Sequence, residues 1–403
     1  MKRLSPSDVR ALSRRPVDDD ALLDAARIVN DVASEGDVAL RRLAERYDGL
    51  APGAPLVIKQ SELEASRRAL DAETHALLER TAARIRRFAE AQRAALANVD
   101  IAIEGGRAGH HIIPVDIAGC YAPAGGAHPL VSTLLMTAVT ARAAGVRRVC
   151  VASPQPGPIM RAAAAIAGAD ALLAAGGAQA IAALAFGTAS VPRVDVIAGP
   201  GNKWVTAAKQ LLAGRVGIDL LAGPSELVVL ADETADAELV VADLAAQAEH
   251  ALDALPILVT THAPLLEALV DRIDQGFAVG CRDLDEAIDA CDRLAPEHLE
   301  LHVRDPDAVA RRVRHCGALF IGPAAGEVLG DYGAGPNHVL PTGGSARFSG
   351  GLSVQSFLRT RTWMRLDGSN PTRLCQDAAA LARLEGLEAH ARAADRRLVA
   401  SRR

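Results

Sequence analysis

VDVIAGPGNKWVTAAKQLL (residues 194–212) joins a short apolar run to a helical segment through a turn of glycine, proline and asparagine. The run Val194–Ala198 is brief and rich in β-branched residues, which is typical of a buried strand. The apolar spacing of Lys203–Leu212 is typical of a helix. A strand that passes through a tight turn into a helix is the repeating unit of parallel sheets. This stretch therefore predicts an α/β fold.

The same alternation of strand and helix extends in both directions from residues 194–212. A first round has predicted strands at Ile112–Cys120, Val146–Ala152, Ala171–Ala175 and Val194–Ala198. A second round has them at Leu227–Ala231, Ile257–Thr261, Leu299–Val303 and Ala318–Ile321. No G-x-G-x-x-G follows a strand. We expect two Rossmann-like α/β domains that lack the usual dinucleotide fingerprint, with N-terminal helices before them and a helical C-terminal tail after them.

Composition limits the classes of partner. The 403 residues are 50% hydrophobic and 23% charged, which is typical of a globular protein with more than one domain. The net charge is -5 without long single-sign blocks, so we expect neither nucleic acid nor an anionic membrane as a partner. The six cysteines form no C-x-x-C pair, and no segment resembles a signal peptide or a membrane span. These features predict a cytoplasmic protein with reduced thiols.

Ala295-Pro296-Glu297-His298-Leu299 sets a carboxylate beside an imidazole. Proline ends the helix before it, and the predicted strand Leu299–Val303 follows, so the pair should lie at a helix-to-strand junction. A carboxylic acid and an imidazole can together move protons near neutral pH. An isolated Glu-His dipeptide is more often an ordinary surface loop, and other residues must support a catalytic interpretation.

Further side chains have the types and spacing of metal ligands. Gln247 and His250 lie at i and i+3 on one predicted helix face, and Asp331 and His338 lie in a Gly-rich stretch. His390 falls in the predicted C-terminal helix. A polar surface pair, a plain turn and a lone helical histidine are the ordinary alternatives for these three features.

Gly-rich turns follow several predicted strands, at Ala122–Gly126, Gly176–Gln179 and Gly199–Lys203. Turns of this kind before a helix N-terminus bind phosphorylated ligands in α/β sheets. Without the dinucleotide fingerprint, glycine spacing alone does not establish NAD. Ser225 lies in Gly223–Glu226, which lacks the G-x-S-x-G nucleophile elbow, and we interpret it as a hydrogen-bonding residue.

Taken together, these motifs closely resemble those of the histidinol dehydrogenase family. The matching stretches are Q-A-E-H (247–250), A-P-E-H-L (295–299), G-D-Y-x-x-G-x-N-H-V-L-P-T (330–342), E-G-L-x-A-H (385–390), G-P-G-N-K (199–203) and A-G-P-S-E (222–226). The resemblance extends from the N-terminal helices to the C-terminal tail. It implies the NAD-dependent four-electron oxidation of L-histidinol to L-histidine through L-histidinaldehyde, the last steps of histidine biosynthesis.

The resemblance also implies roles for single residues. The implied ligands of one zinc ion per subunit are Gln247, His250, Asp331 and His390. The last of these would come from the partner subunit of a homodimer, so that the sites are shared. Glu297 and His298 would be the acid-base pair. The implied substrate-binding residues are the zinc ligands and the acid-base pair together with Ser225, His338 and Glu385. The implied NAD contacts are Tyr121, Gln179 and Asn202.

Four parts of the chain are expected from the resemblance and the patterns together. Residues 1–20 would form an N-terminal helical segment. Residues 21–119 with 227–352 would form the α/β domain that carries most metal and catalytic residues. Residues 120–226 would form the α/β domain with the NAD contacts. Residues 353–403 would form a helical tail that packs on the partner subunit, because this tail has little core of its own.

Other interpretations stay open at this point. A related zinc- and NAD-dependent dehydrogenase could act on another small alcohol, such as a sulfonated diol, although Glu385 is placed to meet the amino group of histidinol. A zinc hydrolase would use Glu297 to activate water, but H-E-x-x-H is absent. A binding protein without catalysis would not need every site residue. The loop Tyr121–His128 is one residue longer than the Tyr-x-Pro-Gly-Gly loop of the family.

Overall fold

A computed structural model of the chain describes residues 1–12, 16–125, 128–366 and 372–400. The chain divides into two compact units. The first comprises residues 1–93 and 115–357, and the second comprises residues 94–114 and 358–403. Among the described residues, no helix combines the length and the apolar character that crossing a membrane requires.

Between residues 131 and 331, strands and helices alternate largely as the sequence predicts. The strands are β1 (Lys2–Leu4), β2 (Val57–Lys59), β3 (Val99–Ile103), β4 (Gly106–Pro114), β5 (Ile117–Tyr121), β6 (Ala124–Gly125), β7 (His128–Pro129), β8 (Arg148–Ala152), β9 (Ala171–Leu173), β10 (Val196–Ala198), β11 (Gly217–Ile218), β12 (Glu226–Ala231), β13 (Leu255–Thr260), β14 (Phe277–Gly280), β15 (His298–His302), β16 (Ala318–Ile321) and β17 (Leu358–Leu366). The helices are α1 (Asp19–Glu35), α2 (Asp37–Tyr47), α3 (Gln60–Arg68), α4 (Ala72–Ala94), α5 (Val131–Ala144), α6 (Pro158–Ile166), α7 (Gly177–Phe186), α8 (Lys203–Leu212), α9 (Ala237–Ala248), α10 (Ala263–Leu269), α11 (Leu284–Leu294), α12 (Pro306–Ala310), α13 (Glu327–Asp331), α14 (Thr372–Leu384) and α15 (Glu388–Ala400).

Two six-stranded sheets organise the first unit. The first sheet has the order β1-β14-β13-β12-β15-β16, and all of its strands are parallel. The second sheet has the order β11-β10-β5-β8-β9-β2 and is parallel except for the antiparallel edge pair of β9 and β2. The predicted α/β fold with two parallel-dominated sheets is therefore confirmed.

Alanine lets helices pack closely on the second sheet. Every alanine of α7 is buried, and the core around it contains alanines of α1 and α8 as well. Small side chains allow the backbones of helix and sheet to approach each other without leaving voids. This packing brings α1 onto α7 and α8 and so fixes residues 19–35 beside the second sheet.

The grouping of the N-terminal residues differs from the predicted one. We expected residues 21–119 to join 227–352. Instead β2 pairs with β9, and β5 pairs with β8 and β10, so both strands belong to the second sheet. Residues 94–114 belong to the second unit. Local patterns do not say which sheet an edge strand joins, because that choice depends on pairing partners far away in the chain.

Both ends of the chain contain strands where helix was predicted. Within residues 1–20, Lys2–Leu4 form β1 and pair with β14. Within residues 353–403, β17 pairs antiparallel with β4 and precedes the two C-terminal helices. Both strands mix polar and apolar residues without a clean period, so tertiary pairing rather than local pattern decides their conformation.

A buried ion pair holds the turn that follows β10. Lys209 of α8 pairs with Asp219, and both side chains are almost fully buried. Lys209 Nζ also donates to the carbonyl of Gly199 at 2.9 Å, and the Gly199 N–H donates to Asp219 Oδ2 at 2.7 Å. The pair therefore clamps the start of the Gly199–Lys203 turn from both sides.

Lys209→Met is expected to lower the free energy of unfolding by about 3–5 kcal/mol, because it leaves Asp219 charged and unpaired in the interior. Urea denaturation followed by circular dichroism measures this. The matched control is Arg147→Met, whose exposed pair with Asp116 should contribute no more than about 1 kcal/mol. Equal losses in the two variants would contradict the role of the buried pair.

Candidate active site

Glu297 and His298 lie at the junction of α11 and β15. Helix α11 ends at Leu294, and the capping residue Ala295 is a non-glycine residue in the left-handed region with φ 46° and ψ 60°. Pro296 disfavours the helical conformation for the residue before it and cannot donate to a continuing helix. The left-handed conformation of Ala295 costs free energy, and such a conformation persists only where the surrounding structure enforces it. The chain thus turns sharply, and His298 becomes the first residue of β15.

This junction lies at the amino edge of the first sheet. Leu227 is the register partner of His298 on one side, and Ala318 is its partner on the other. Ligands of α/β sheets usually bind at the carboxyl edge. Here α9 connects two parallel strands, β12 and β13, so it returns the chain to the amino edge. Gln247 lies in the last turn of this helix, and His250 lies just beyond its end.

Glu297 is held in the interior by two hydrogen bonds. Its Oε2 accepts from Ser225 Oγ at 2.8 Å and from the Glu226 N–H at 2.9 Å. Burial raises the pKa of Glu297 to about 7, against the lowering effect of His298 and of these two donors. A carboxyl group with a pKa near neutrality is well suited to accept and return a proton.

The two ring nitrogens of His298 have different surroundings. Nδ1 lies 3.1 Å from the carbonyl oxygen of Glu226 and 3.2 Å from Glu327 Oε1, so this nitrogen is placed to carry the proton and donate. Nε2 lies 3.6 Å from Asp331 Oδ1 and has no hydrogen-bond partner among the described residues. Nε2 is therefore the nitrogen available to a reacting group.

The charge around His298 is strongly negative. Burial lowers its pKa, but the carboxylates of Glu297, Glu327 and Asp331 outweigh burial and raise the pKa to about 10. The same imidazole holds the pKa of Asp331 below its usual value, although burial acts in the opposite direction. A cation bound among these carboxylates would offset their effect on the imidazole.

A second group of side chains has the geometry of a metal site. His250 Nε2 lies 3.5 Å from Asp331 Oδ2 and 3.8 Å from Glu327 Oε1, and the three donor atoms lie within 4.8 Å of one another. Gln247 is fully buried, and neither its oxygen nor its nitrogen has a partner among the described residues. A buried amide without partners is destabilising unless a ligand satisfies it. These nitrogen and oxygen donors fit a zinc ion.

Glu297 and His298 face one cavity of about 560 Å³ together with two of the metal-type ligands, His250 and Asp331. Its lining includes Ser225, His250, Glu297, His298, Asp331 and His338. His338 Nδ1 lies 2.8 Å from the carbonyl oxygen of Asp331, and Nε2 lies 3.2 Å from Thr133 Oγ1. Burial lowers the pKa of His338, which favours the neutral imidazole. Six residues from distant parts of the sequence are thus brought together.

The three residues predicted to contact NAD line a second cavity of about 960 Å³. Tyr121 is the last residue of β5, Gln179 lies in the first turn of α7 after β9, and Asn202 precedes α8 after β10. All three therefore lie at the carboxyl edge of the second sheet, as the Gly-rich turns predict. Pro123, Asn202 and Trp204 line both cavities, so the two cavities adjoin.

Hydrogen bonds fix these three side chains. Tyr121 Oη accepts from the Gly177 N–H at 3.1 Å, and Gln179 Nε2 donates to Asp48 at 2.9 Å. Asn202 caps α8, because its Oδ1 accepts from the N–H groups of the second and third residues after it. A helix N-terminus and its free N–H groups favour an anionic ligand such as a pyrophosphate.

Two predicted site residues lie in the second unit. His390 lies on α15, and Glu385 lies between α14 and α15. Both side chains are exposed in the single chain. Of the lengthened loop Tyr121–His128, Gly126 and Ala127 lie outside the described residues.

Glu327 and Asp48 were not predicted as site residues. Glu327 is four residues before Asp331, a spacing that places both on one face of α13, and this could have indicated it. Glu327 is also anchored, because its N–H donates to Glu300 Oε1 at 2.5 Å. Asp48 follows the last residue of α2, and nothing in the local sequence indicates its contact with Gln179.

Glu300 belongs to a further cluster beside the site. It alternates with His298 and His302 along β15, so the three side chains share one face of the strand. His302 Nε2 lies 3.3 Å from Glu300 Oε2 and 3.7 Å from Asp243 Oδ2. Because Glu300 Oε1 accepts from the N–H of the first residue of α13, this buried face helps to position Glu327.

Comparison with known proteins identifies relatives along nearly the whole chain. A sequence profile of histidinol dehydrogenase matches residues 13–398. The histidinol dehydrogenase of Parasynechococcus marenigrum is 43% identical over 92% of this chain and 90% of its own length. That of Haloarcula marismortui is 41% identical over 98% of both chains. The crystal structure of histidinol dehydrogenase from Elizabethkingia anophelis aligns with a TM-score of 0.90 and 30% identity, covering 100% of this chain and 98% of that one.

Chelator-treated protein is expected to bind one Zn²⁺ per chain in titration calorimetry, because the amide of Gln247 and the clustered donors of His250 and Asp331 have the chemistry of zinc ligands. His250→Ala and Asp331→Asn should each weaken binding roughly tenfold or more by removing one donor. His315→Ala is the matched control, since His315 lines neither cavity. Unchanged zinc affinity in both site variants would remove this cluster as the metal site.

Proposed function

The chain belongs to the histidinol dehydrogenase family, and on that premise we propose that it oxidises L-histidinol to L-histidine through L-histidinaldehyde at the two adjoining cavities. One observation carries the proposal. The buried pair of Glu297 and His298 shares its cavity with Ser225, His250 and Asp331, and this cavity meets the one that contains Tyr121, Gln179 and Asn202. Acid-base groups, metal-type ligands and a dinucleotide-sized cavity are thus assembled at one place.

The residues present fit both cofactors. Gln247, His250 and Asp331, with His390 of the partner subunit, would hold zinc, and Tyr121, Gln179 and Asn202 would contact NAD. When bound, zinc supplies a positive charge that orients the amino and imidazole nitrogens of the substrate, and NAD supplies the acceptor for the electrons of each oxidation. Ser225, His338 and Glu385 would complete substrate binding.

His298 acts as the base of both oxidations. Its Nδ1 is held toward the carbonyl of Glu226 and the carboxylate of Glu327, so its Nε2 receives the proton of the substrate alcohol. These same partners stabilise the imidazolium that forms. After the aldehyde is hydrated, Nε2 receives a second proton, from a hydroxyl of the hydrate. The imidazole must therefore release its first proton between the two oxidations.

Glu297 acts between the two oxidations. Its carboxylate accepts a proton from water as that water adds to the aldehyde carbon. The pKa of about 7, which results from burial, makes the group basic enough for this step. Ser225 and the Glu226 N–H hold the carboxylate in place while the aldehyde stays bound, away from solvent.

We infer that the protein works as a homodimer with shared sites. Leu381, Leu384 and Leu387 are 59%, 85% and 45% exposed in the single chain, and they surround Glu385 at the turn between α14 and α15. An apolar patch of this kind is typical of a surface that a partner covers. A second copy would bury it and deliver Glu385 and His390 to the neighbouring site.

All six cysteines are unpaired, which is in keeping with a cytoplasmic location.

His298→Asn is expected to lower kcat for L-histidinol by roughly a thousandfold or more with little change in KM, because a base acts mainly in the transition state. Wild-type holoenzyme should form two NADH per L-histidinol oxidised. His262→Asn is the control and should behave like wild type, because His262 lines neither cavity. No NADH from L-histidinol with the wild type, but turnover of a sulfonated diol, would favour a related dehydrogenase. Equal losses in kcat and substrate affinity would argue against His298 as the base.

Mixed inactive variants test the sharing of sites. His390→Ala and His298→Asn proteins are expected to regain up to about a quarter of wild-type activity after subunit exchange, because each hybrid dimer contains one intact site. Mass spectrometry of the intact dimers verifies the exchange. Self-mixtures of each variant provide the control, and absence of rescue despite exchange would contradict sharing.

A further inference from the structure

Asp48 is a buried carboxylate beside the larger cavity that the reaction above does not use. It caps the C-terminus of α2, is only 7% exposed and lines the cavity with Tyr121 and Gln179. Burial raises the pKa of Asp48, although the hydrogen bonds that it accepts act in the opposite direction. Burying a carboxylate costs free energy unless hydrogen bonds compensate for it, so the partners of Asp48 indicate what the side chain does.

One oxygen of Asp48 organises the turn between β9 and α7. Its Oδ2 accepts from the Gly176 N–H at 2.9 Å and from Gln179 Nε2 at 2.9 Å. The neighbouring Gly177 has φ +58°, and its N–H donates to Tyr121 Oη at 3.1 Å. Two of the proposed NAD contacts are therefore connected to Asp48 through the same short turn.

The turn fits closely against Asp48. A Cβ atom on Gly176 would lie 2.9 Å from the Pro154 side chain and 3.0 Å from Asp48 Oδ1. Such distances are shorter than ordinary contacts, so a side chain at position 176 would displace Pro154 or Asp48. Glycine at this position therefore keeps the Gly176 N–H within hydrogen-bonding distance of the carboxylate.

The chemistry of this contact decides which end of the Gln179 amide faces the ligand. Asp48 Oδ2 already accepts from the Gly176 N–H, so it offers Gln179 an acceptor. Of the two ends of the Gln179 amide, only Nε2 can donate to it. Gln179 Oε1 is then the end that remains for a bound molecule. An acceptor in this position suits a ligand that offers a donor, such as a ribose hydroxyl or the carboxamide N–H of nicotinamide.

We propose that Asp48 is a positioning residue for the dinucleotide: it orients the Gln179 amide so that Oε1 accepts from NAD, and it holds the turn that supports Tyr121. This rests on the proposed function, because the contact of Gln179 with NAD is itself part of that proposal. Asp48 acts through Gln179 and does not take part in the proton transfers at His298 and Glu297.

The test is a double-mutant cycle on the zinc-loaded enzyme with NAD as the titrant. Asp48→Asn keeps the size of the side chain but removes the negative charge, so its hydrogen bonds to the Gly176 N–H and to Gln179 Nε2 weaken and the Gln179 amide is held less firmly. We expect NAD to bind roughly tenfold more weakly to Asp48→Asn, with KM for L-histidinol unchanged. Gln179→Ala should show a similar loss, and the double variant should lose clearly less affinity than the two single losses combined, because both substitutions affect the same contact.

Asp37→Asn is the matched control. Asp37 begins the same helix, accepts from Ser190 Oγ at 2.6 Å and does not line the cavity. It should leave NAD affinity and both KM values unchanged. If Asp48→Asn does not fold, the near-isosteric Gln179→Glu removes the same hydrogen bond from the other side while it keeps an acceptor for the ligand, and it should weaken NAD binding to a similar extent.

The outcomes separate this inference from the proposed function. Failure of the wild type to bind NAD would overturn the proposed function. Wild-type NAD affinity in Asp48→Asn, or full additivity in the double variant, would overturn the role of Asp48 while leaving the proposed function in place. A loss in Asp48→Asn that affects L-histidinol and NAD equally would indicate a general structural role and would also overturn the inference.

Discussion

The backbone N–H and carbonyl of a single residue, Glu226, support both members of the proposed catalytic pair, Glu297 and His298. Its N–H donates to the carboxylate of Glu297, and its carbonyl faces Nδ1 of His298. This is possible because β12 and β15 are parallel neighbours that begin at the same edge of the first sheet. The pairing of two strands about seventy residues apart therefore orients the His298 ring and positions the Glu297 carboxyl group, to which we assign the two proton-transfer roles.

The two sheets contribute to the site from opposite edges. The first sheet offers its amino edge, where the helices that follow the strands bring His250 and Asp331 back to His298. The second sheet offers its carboxyl edge, where Tyr121, Gln179 and Asn202 follow successive strands. Dinucleotide sites commonly lie at carboxyl edges, because the helix N-termini there favour phosphate groups. The metal-type cluster instead needs side chains from strand starts and helix ends, and the amino edge supplies them.

Prediction from the sequence succeeded where the signal was local. Helix α8 has the predicted bounds Lys203–Leu212, and β16 has the predicted bounds Ala318–Ile321, because a tight turn or a short apolar run marks their ends. It failed where distant pairing decides the conformation, as for β1 and β17. It also passed over Glu327 and Asp48, whose importance depends on side chains that they meet only after folding.

The sequence by itself determined the α/β class, the family and the identity of the residues that form the motifs, because these depend on residue types and their order. Only the tertiary structure decided their electrostatic state and orientation. Burial raises the pKa of Glu297 to about 7 and leaves the amide of Gln247 without partners among the described residues. The contacts of Nδ1 with the Glu226 carbonyl and with Glu327 leave Nε2 of His298 as the ring nitrogen without such a partner. Each of these properties arises from desolvation and from contacts between residues that are distant in the chain, and no local pattern encodes them.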